Sequence, residues 1–245
     1  MLPLSWKERS EFFGRLEEHR LLEKRLILGS YPEITITQTE EEDLLQELAG
    51  SYLYRDLLTL DQLRKPAVLE KLLQALSLQV GSEVSFQELS RTIGIDNQTI
   101  ERYVDLLEKA FVIFRLPAFS RNLRNEIRKG KKFYFYDNGI RNAVINNFSP
   151  LQSRSDAGAL WENYLISERI KKLFYRIPYA RSYFWRTTQQ QEVDYIEEHE
   201  ADLSAWEFKW NPHAKNRSLP KTFTRSYAPK LTEIITPDNY ENFLQ

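Results

Sequence analysis

The spacing of apolar residues changes period along this chain, and that change limits its fold more than any other feature. From Trp6 to Ala110 apolar side chains recur mainly at helical intervals, whereas from Tyr183 to Trp210 they largely alternate with polar ones. A period near 3.6 marks helices and a period of two marks half-buried strands. The chain therefore reads as α/β, with a mostly helical amino-terminal half and a carboxy-terminal α/β part. Its 245 residues allow one large domain or two modest ones, and 42% hydrophobic with 13% aromatic content exceeds what a disordered chain carries. The absence of cysteine excludes disulfide scaffolds, thiolate zinc sites, iron–sulfur clusters and cysteine nucleophiles. No run approaches the roughly 18 apolar residues of a membrane span, and Met1 to Phe13 lacks the apolar core of a signal peptide. The expectation is a soluble, cytoplasmic protein that makes no membrane contact.

Charge balances overall, 34 basic against 35 acidic residues, but not locally. Residues 117–150 hold 7 basic and 2 acidic side chains, concentrated in Arg121, Arg124, Arg128, Lys129, Lys131 and Lys132. Such a stretch can contact phosphates, although a solvated loop produces the same pattern. Ahead of it, Trp6 to Leu28 reads as one helix, Gly29 to Pro32 as a turn, Glu40 onward as an acidic helix, and residues 67–80 as an amphipathic helix behind Pro66. Val84 to Phe86 then leads into a short helix ended by Gly94, and Asp96 is placed to cap a second helix, NQTIERYVDLLEKAF. Two strands follow, Val112 to Leu116 and Lys132 to Tyr136, on either side of the basic stretch, with Asp137-Asn138-Gly139 read as the turn after them. This order of elements is that of a winged helix, with the basic loop as its wing and Asn97, Gln98, Thr99 and Arg102 offered to DNA. Between Asn97 and Ala110, however, stand two basic and three acidic residues, so packing on protein is an equal alternative.

Beyond Asp156 comes a helix carrying Glu162 near its start, followed by strand-like Tyr183 to Thr187, Glu192 to Ile196 and Leu203 to Trp210, with Glu197 to Asp202 read as a hairpin turn. Alternation places Glu207 and Lys209 on one face of the last strand, within reach of Asp194. Two carboxylates and an ammonium at one sheet, with Glu162 from the helix, suit a magnesium or manganese ion that keeps waters and leaves room for phosphate oxygens. Metal-dependent phosphodiester hydrolysis is the matching reaction, with Lys209 orienting the attacking water or stabilising the transition state. The same charges also fit the solvated face of a hairpin. Glu192 reads as a further ligand or a strand-edge charge, and Arg186 as a phosphate contact or a surface residue. Arg55 and Asp56 read as a buried pair or a contact with another domain. Trp161, Trp185, Trp206 and Trp210 read as packing aromatics, and the three histidines lack metal-ligand spacing.

The ordered set Glu162, Asp194, Glu207-Phe208-Lys209 resembles the PD-(D/E)XK nuclease superfamily, restriction-endonuclease-like in fold. Together with Gly29-Ser-Tyr-Pro-Glu33, Tyr52-Leu-Tyr-Arg-Asp56, Leu106 to Ile113, Phe133 to Asp137 and Gly158 to Asn163, it resembles the carboxy-terminal part of a family of prokaryotic AAA-type ATPases. The resemblance implies an ATPase domain followed by a winged helix and a nuclease-like domain. It divides the chain into residues 1–50, a helical segment after an ATPase core; 51–150, a winged helix with a basic wing; and 151–245, the nuclease-like domain. No G-x-x-x-x-G-K-[ST] phosphate loop is present, so ATP belongs only to a longer parent protein. Two functions remain open: DNA binding that serves a magnesium-dependent nuclease centre, or a non-catalytic scaffold and winged-helix module that recognises protein.

Overall fold

The computed structural model describes residues 2–37, 39–52, 66–121, 130–176, 179–200, 202–213 and 218–245. Its class is mixed α/β, a helical amino-terminal half followed by a sheet-rich region. The expected helix from Trp6 to Leu28 is three: α1 (Trp6–Phe13), α2 (Arg15–Arg20) and α3 (Leu22–Leu28). Ser5 and Glu8 form a capping box that starts α1, and Gly14, at φ 88°, breaks the run where a side-chain-bearing residue would be strained. Gly29 ends α3 at φ 74°, and a Cβ there would sit 1.9 Å from an Asp137 carboxylate oxygen, so the position requires glycine twice over. Helices α4 (Pro32–Ile36) and α5 (Glu41–Glu47) follow, and a π-turn runs through Leu48–Tyr52.

Helix α6 (Pro66–Leu78) buries Leu69, Leu72, Leu73 and Leu76, the stripe its spacing predicts. After β1 (Glu83–Val84), Ser85 caps α7 (Phe86–Ile93), Gly94 closes it in the left-handed region, and Asp96 caps α8 (Asn97–Lys109). Strands β2 (Ile113–Pro117) and β3 (Lys131–Phe135) complete an antiparallel sheet of order β1-β3-β2. Asp137 does not form the expected turn. It is the buried N-cap of α9 (Asn138–Val144), accepting the N–H groups of Ile140 (3.1 Å) and Ser30 (2.6 Å), and so ties α9 to the end of α3.

The second half runs α10 (Ala157–Arg176), β4 (Arg181–Arg186), β5 (Glu192–His199), β6 (Asp202–Phe208), α11 (Lys221–Tyr227), β7 (Leu231–Ile235) and α12 (Tyr240–Leu244). The sheet order is β4-β5-β6-β7, antiparallel except for the parallel pair β6 and β7. A parallel neighbour cannot be reached by a tight turn, and α11 lies in the crossover that supplies it. Glu197 to His199 belong to β5 and pair with Ser204, Leu203 and Asp202, so the hairpin turn is shorter than expected. The two sheets join where Ala118 bridges Phe184 and the Phe119 N–H donates to the Phe184 carbonyl at 2.6 Å. One hydrophobic cluster spans both halves, from Leu26 and Leu72 through Tyr134 to Trp161, Tyr195 and Phe243. Among the described residues no helix is long and apolar enough to cross a membrane.

Candidate active site

The site lies where α10, β5, β6 and β3 meet. In β5 the register against β4 shifts: Tyr183 faces Ile196 but Trp185 faces Val193, so β5 carries one extra residue in the stretch holding Asp194. A bulge of this kind re-aims a side chain. The Asp194 carboxylate accepts the backbone N–H of Phe208 at 2.7 Å, which fixes it beside the end of β6, next to Glu207. Lys209 follows β6, anchored by its own N–H to the Ile235 carbonyl (2.9 Å), and its Nζ lies 2.7 Å from Glu207 Oε1. Glu207 Oε2 is buried without a hydrogen-bond partner among the described residues.

Glu162 enters from the second turn of α10, and its neighbour Asn163 sets what surrounds it. The Asn163 side chain accepts the Phe135 N–H (2.7 Å), donates to the Phe135 carbonyl (3.0 Å) and donates to Asn138 (2.6 Å), clamping β3 onto α10. Strand alternation then turns Lys132 and Tyr134 toward Glu162. The Tyr134 hydroxyl donates to Glu162 Oε1 at 2.5 Å, Lys132 Nζ stands 3.1 Å from the same oxygen, and Lys132 also bonds Glu192. Arg186 Nε lies 3.5 Å from the other Glu192 oxygen.

These carboxylates feel one another. Burial pushes the Asp194 carboxyl well above its ordinary value and the charges of Glu162 and Glu207 push it further, against Lys132 and the Phe208 N–H. Burial also raises Glu207, opposed by Lys209 and reinforced by Glu162 and Glu192. Lys132 and Lys209 are both raised, because their carboxylate neighbours outweigh burial. A hard divalent cation fits the oxygen donors, their mutual repulsion and the unpartnered Glu207 oxygen. Among the described residues, though, no group of three His, Asp or Glu stands in an arrangement that could hold a metal ion as it is. Lys132 and Tyr134 engage Glu162, Lys209 engages Glu207, and the Phe208 N–H engages Asp194.

Glu162, Asp194, Glu207 and Lys209 lie close enough for their charges to act on one another. The DNA-contact set is scattered. Asn97, Gln98 and Arg102 are exposed on α8, while Thr99 is engaged with the Asp96 cap at 2.7 and 2.8 Å. Arg121 is exposed over the Tyr227 ring of α11, Lys131 is half-buried, and Arg124, Arg128 and Lys129 lie outside the described residues, as do Tyr54, Arg55 and Asp56. Lys132 corrects the sequence reading: only 2% exposed, it cannot lie on a phosphate-facing wing in this arrangement. Its place one residue from Lys131 made it look like part of a charge run, yet on a strand neighbouring residues face opposite ways. Lys132, Tyr134 and Asn163 are the site residues that spacing missed. Trp161, Trp185 and Trp206 are buried and Trp210 packs on Trp161, in line with a packing role.

Residues 19–151 match the family described as a domain of unknown function, DUF8612, and the chain belongs to that family. Residues 157–239 match a second domain of unknown function, DUF4143, which is often found at the carboxy terminus of AAA-type ATPase proteins. The chain is 29% identical over 173 residues to an uncharacterized protein of Mycobacterium tuberculosis, and equally to one of Mycobacterium bovis, covering 69% of this chain and 38% of each relative. It is 24% identical over 153 residues to an uncharacterized protein of Haemophilus influenzae, covering 58% of this chain and 38% of that one. The chain thus spans well under half the length of these curated relatives. No solved structure matches it.

Proposed function

We propose that this chain is the carboxy-terminal region of an AAA-type ATPase protein, with a winged helix that binds DNA and a PD-(D/E)XK, restriction-endonuclease-like centre that hydrolyses phosphodiesters with magnesium or manganese. The observation that carries this reading is the convergence of Glu162, Asp194, Glu207 and Lys209 beside the bulge in β5 and the end of β6. The αβββαβ order from α10 to β7 supports it, as does the short turn between α7 and α8, which leaves Asn97, Gln98 and Arg102 facing solvent.

Asp194, Glu207 and Glu162 would hold the cation. When bound, the metal would lower the pKa of a coordinated water and neutralise charge gathering on the phosphate. Lys209, already drawn to Glu207, orients the attacking water and offers its ammonium to the phosphate oxygens. Asp194, kept in place by the Phe208 N–H, is positioned before any ligand arrives. The expected outcome is that Asp194→Ala and Lys209→Ala each lower magnesium-dependent cleavage of DNA at least 100-fold while circular dichroism stays native. Equal cleavage by wild type and both variants overturns the reading.

A second reading has its own observation. Lys132 neutralises part of the cluster from within, as a non-catalytic scaffold that recognises protein would require. Millimolar magnesium or manganese that leaves Tm unchanged, together with DNA binding that does not respond to salt, favours the scaffold.

A further inference from the structure

The carboxylates receive positive charge from two sides, and only one side belongs to the sheet that carries them. Lys209 follows β6. Lys132 arrives from β3, across the junction between the two sheets, with its Nζ 3.1 Å from Glu162 and bonded to Glu192, and the Phe184 ring centroid 5.2 Å away. Gly81, in the loop before β1 at φ 75°, borders Glu162: a Cβ there would meet its carboxylate in ordinary van der Waals contact, at 3.4 Å. Through Asn163 the whole β1-β3-β2 sheet is keyed to the helix that supplies Glu162. An ammonium and a divalent cation compete for the same oxygens, and two cations on one carboxylate repel each other inside a weakly screened pocket.

Resting on the reading of this cluster as a divalent-cation centre, we infer that Lys132 is its resident cation: it occupies the Glu162 side when no metal is bound, and metal enters only by displacing it. The seating of the β1-β3-β2 sheet then governs whether the centre can be loaded. Glu207 Oε2 is buried and has no hydrogen-bond partner among the described residues, an acceptor left open beside the Glu207 oxygen that Lys209 engages. Because β3 follows directly on the basic stretch, the segment expected to meet phosphates is continuous in the chain with the residue that guards the carboxylates.

The test uses the full chain and manganese as the probe. Binding is followed through the free-ion electron paramagnetic resonance signal in wild type, Lys132→Met and the double variant Lys132→Met with Asp194→Asn. Lys132→Met is expected to bind manganese at least tenfold more tightly than wild type, and the double variant to lose that site. In wild type, acylation of lysines read by mass spectrometry is expected to spare Lys132 in chelator and to modify it once manganese is bound. Equal or weaker binding by Lys132→Met, no binding by either protein at millimolar manganese, or continued protection of Lys132 in the loaded protein overturns the inference. Should Lys132→Met fail to fold, the wild-type labelling decides alone. Tighter binding without cleavage would sink the nuclease reading and leave this one standing; unchanged binding with cleavage would do the reverse.

Discussion

Helix α10 carries two charge networks about 9 Å apart along its axis, one buried and one partly exposed, and they are built from the same ingredients to opposite effect. Around Glu168, Arg9 meets Glu18 at 2.7 Å and Glu168 at 3.3 Å, Arg25 meets Glu18 at 2.6 Å, and Lys171 meets Glu168 at 2.6 Å. Three cations serve two carboxylates. Although burial pushes Glu168 up, Lys171 and Arg9 hold it below its ordinary value. Around Glu162, three cations, Lys132, Lys209 and Arg186, serve four carboxylates; burial and the charges of Glu162 and Glu207 push Asp194 up, and burial, Glu162 and Glu192 push Glu207 up. A network with enough counter-charge fastens α1, α2 and α3 to α10. A network short of counter-charge keeps carboxylates that repel one another, which is what the proposed cation would relieve.

The largest effect that sharpens this contrast falls on the paired network. Glu18→Gln strips Arg9 and Arg25 of their shared carboxylate inside the core, and the expected loss of stability is about 3–5 kcal/mol, read as a lower urea midpoint with an unchanged slope. A loss below about 1 kcal/mol would mean that water reaches the two guanidinium groups and that the networks differ less than their burial implies.

Much of this was legible in the sequence, for reasons that separate local chemistry from tertiary neighbours. Gly94 and Asp96 announce the turn between α7 and α8 because the caps they form are chosen by backbone geometry within a few residues. Glu162, Asp194, Glu207 and Lys209 could be read as a set because each stands at a recognisable place on its own element. What alternation does not reveal is which surface a strand's face will meet. On sequence alone Lys132 therefore reads as solvent-facing with its basic neighbours, although the Asn163 clamp buries it. Asp137-Asn138-Gly139 has turn composition, but Asp137 spends its carboxylate on Ser30, 107 residues earlier. Strand β7 leaves little trace in the sequence, since Leu231 and Thr232 are exposed at a sheet edge and carry little apolar pattern.

On the cation-poor side the corresponding substitution should act in the opposite direction. Asp194→Asn removes one of the mutually repelling charges while keeping an acceptor for the Phe208 N–H, and without metal it is expected to raise Tm by roughly 2–4 °C, the shift that about 1 kcal/mol produces in a protein of this size. The pH dependence carries the sign. Carboxyls whose folded values are raised bind protons more tightly in the folded state, so their contribution to stability is present at low pH and is lost as pH rises through those raised values. Glu168 behaves inversely: its contribution holds above its ordinary value of 4.5 and is lost as pH falls through the lowered one. The Tm advantage of Asp194→Asn over wild type should therefore shrink as pH falls from about 8 to about 5. An advantage that stays constant over that range would show that the repulsion is not titrating.

The smallest effect tests whether the solvent-facing charge of α8 belongs with the centre at all. Arg102 is exposed, its guanidinium 5.6 Å from the Tyr103 ring centroid, and α8 also presents Glu101 nearby. A single phosphate contact contributes about 0.9 to the slope of log K against log salt, so Arg102→Ala should weaken DNA binding only severalfold, flatten that slope by about one, and leave manganese affinity untouched. An unchanged slope would remove Arg102 from the DNA face. A change in manganese affinity would be the more informative result, because it would couple the exposed end of α8 to the carboxylate cluster.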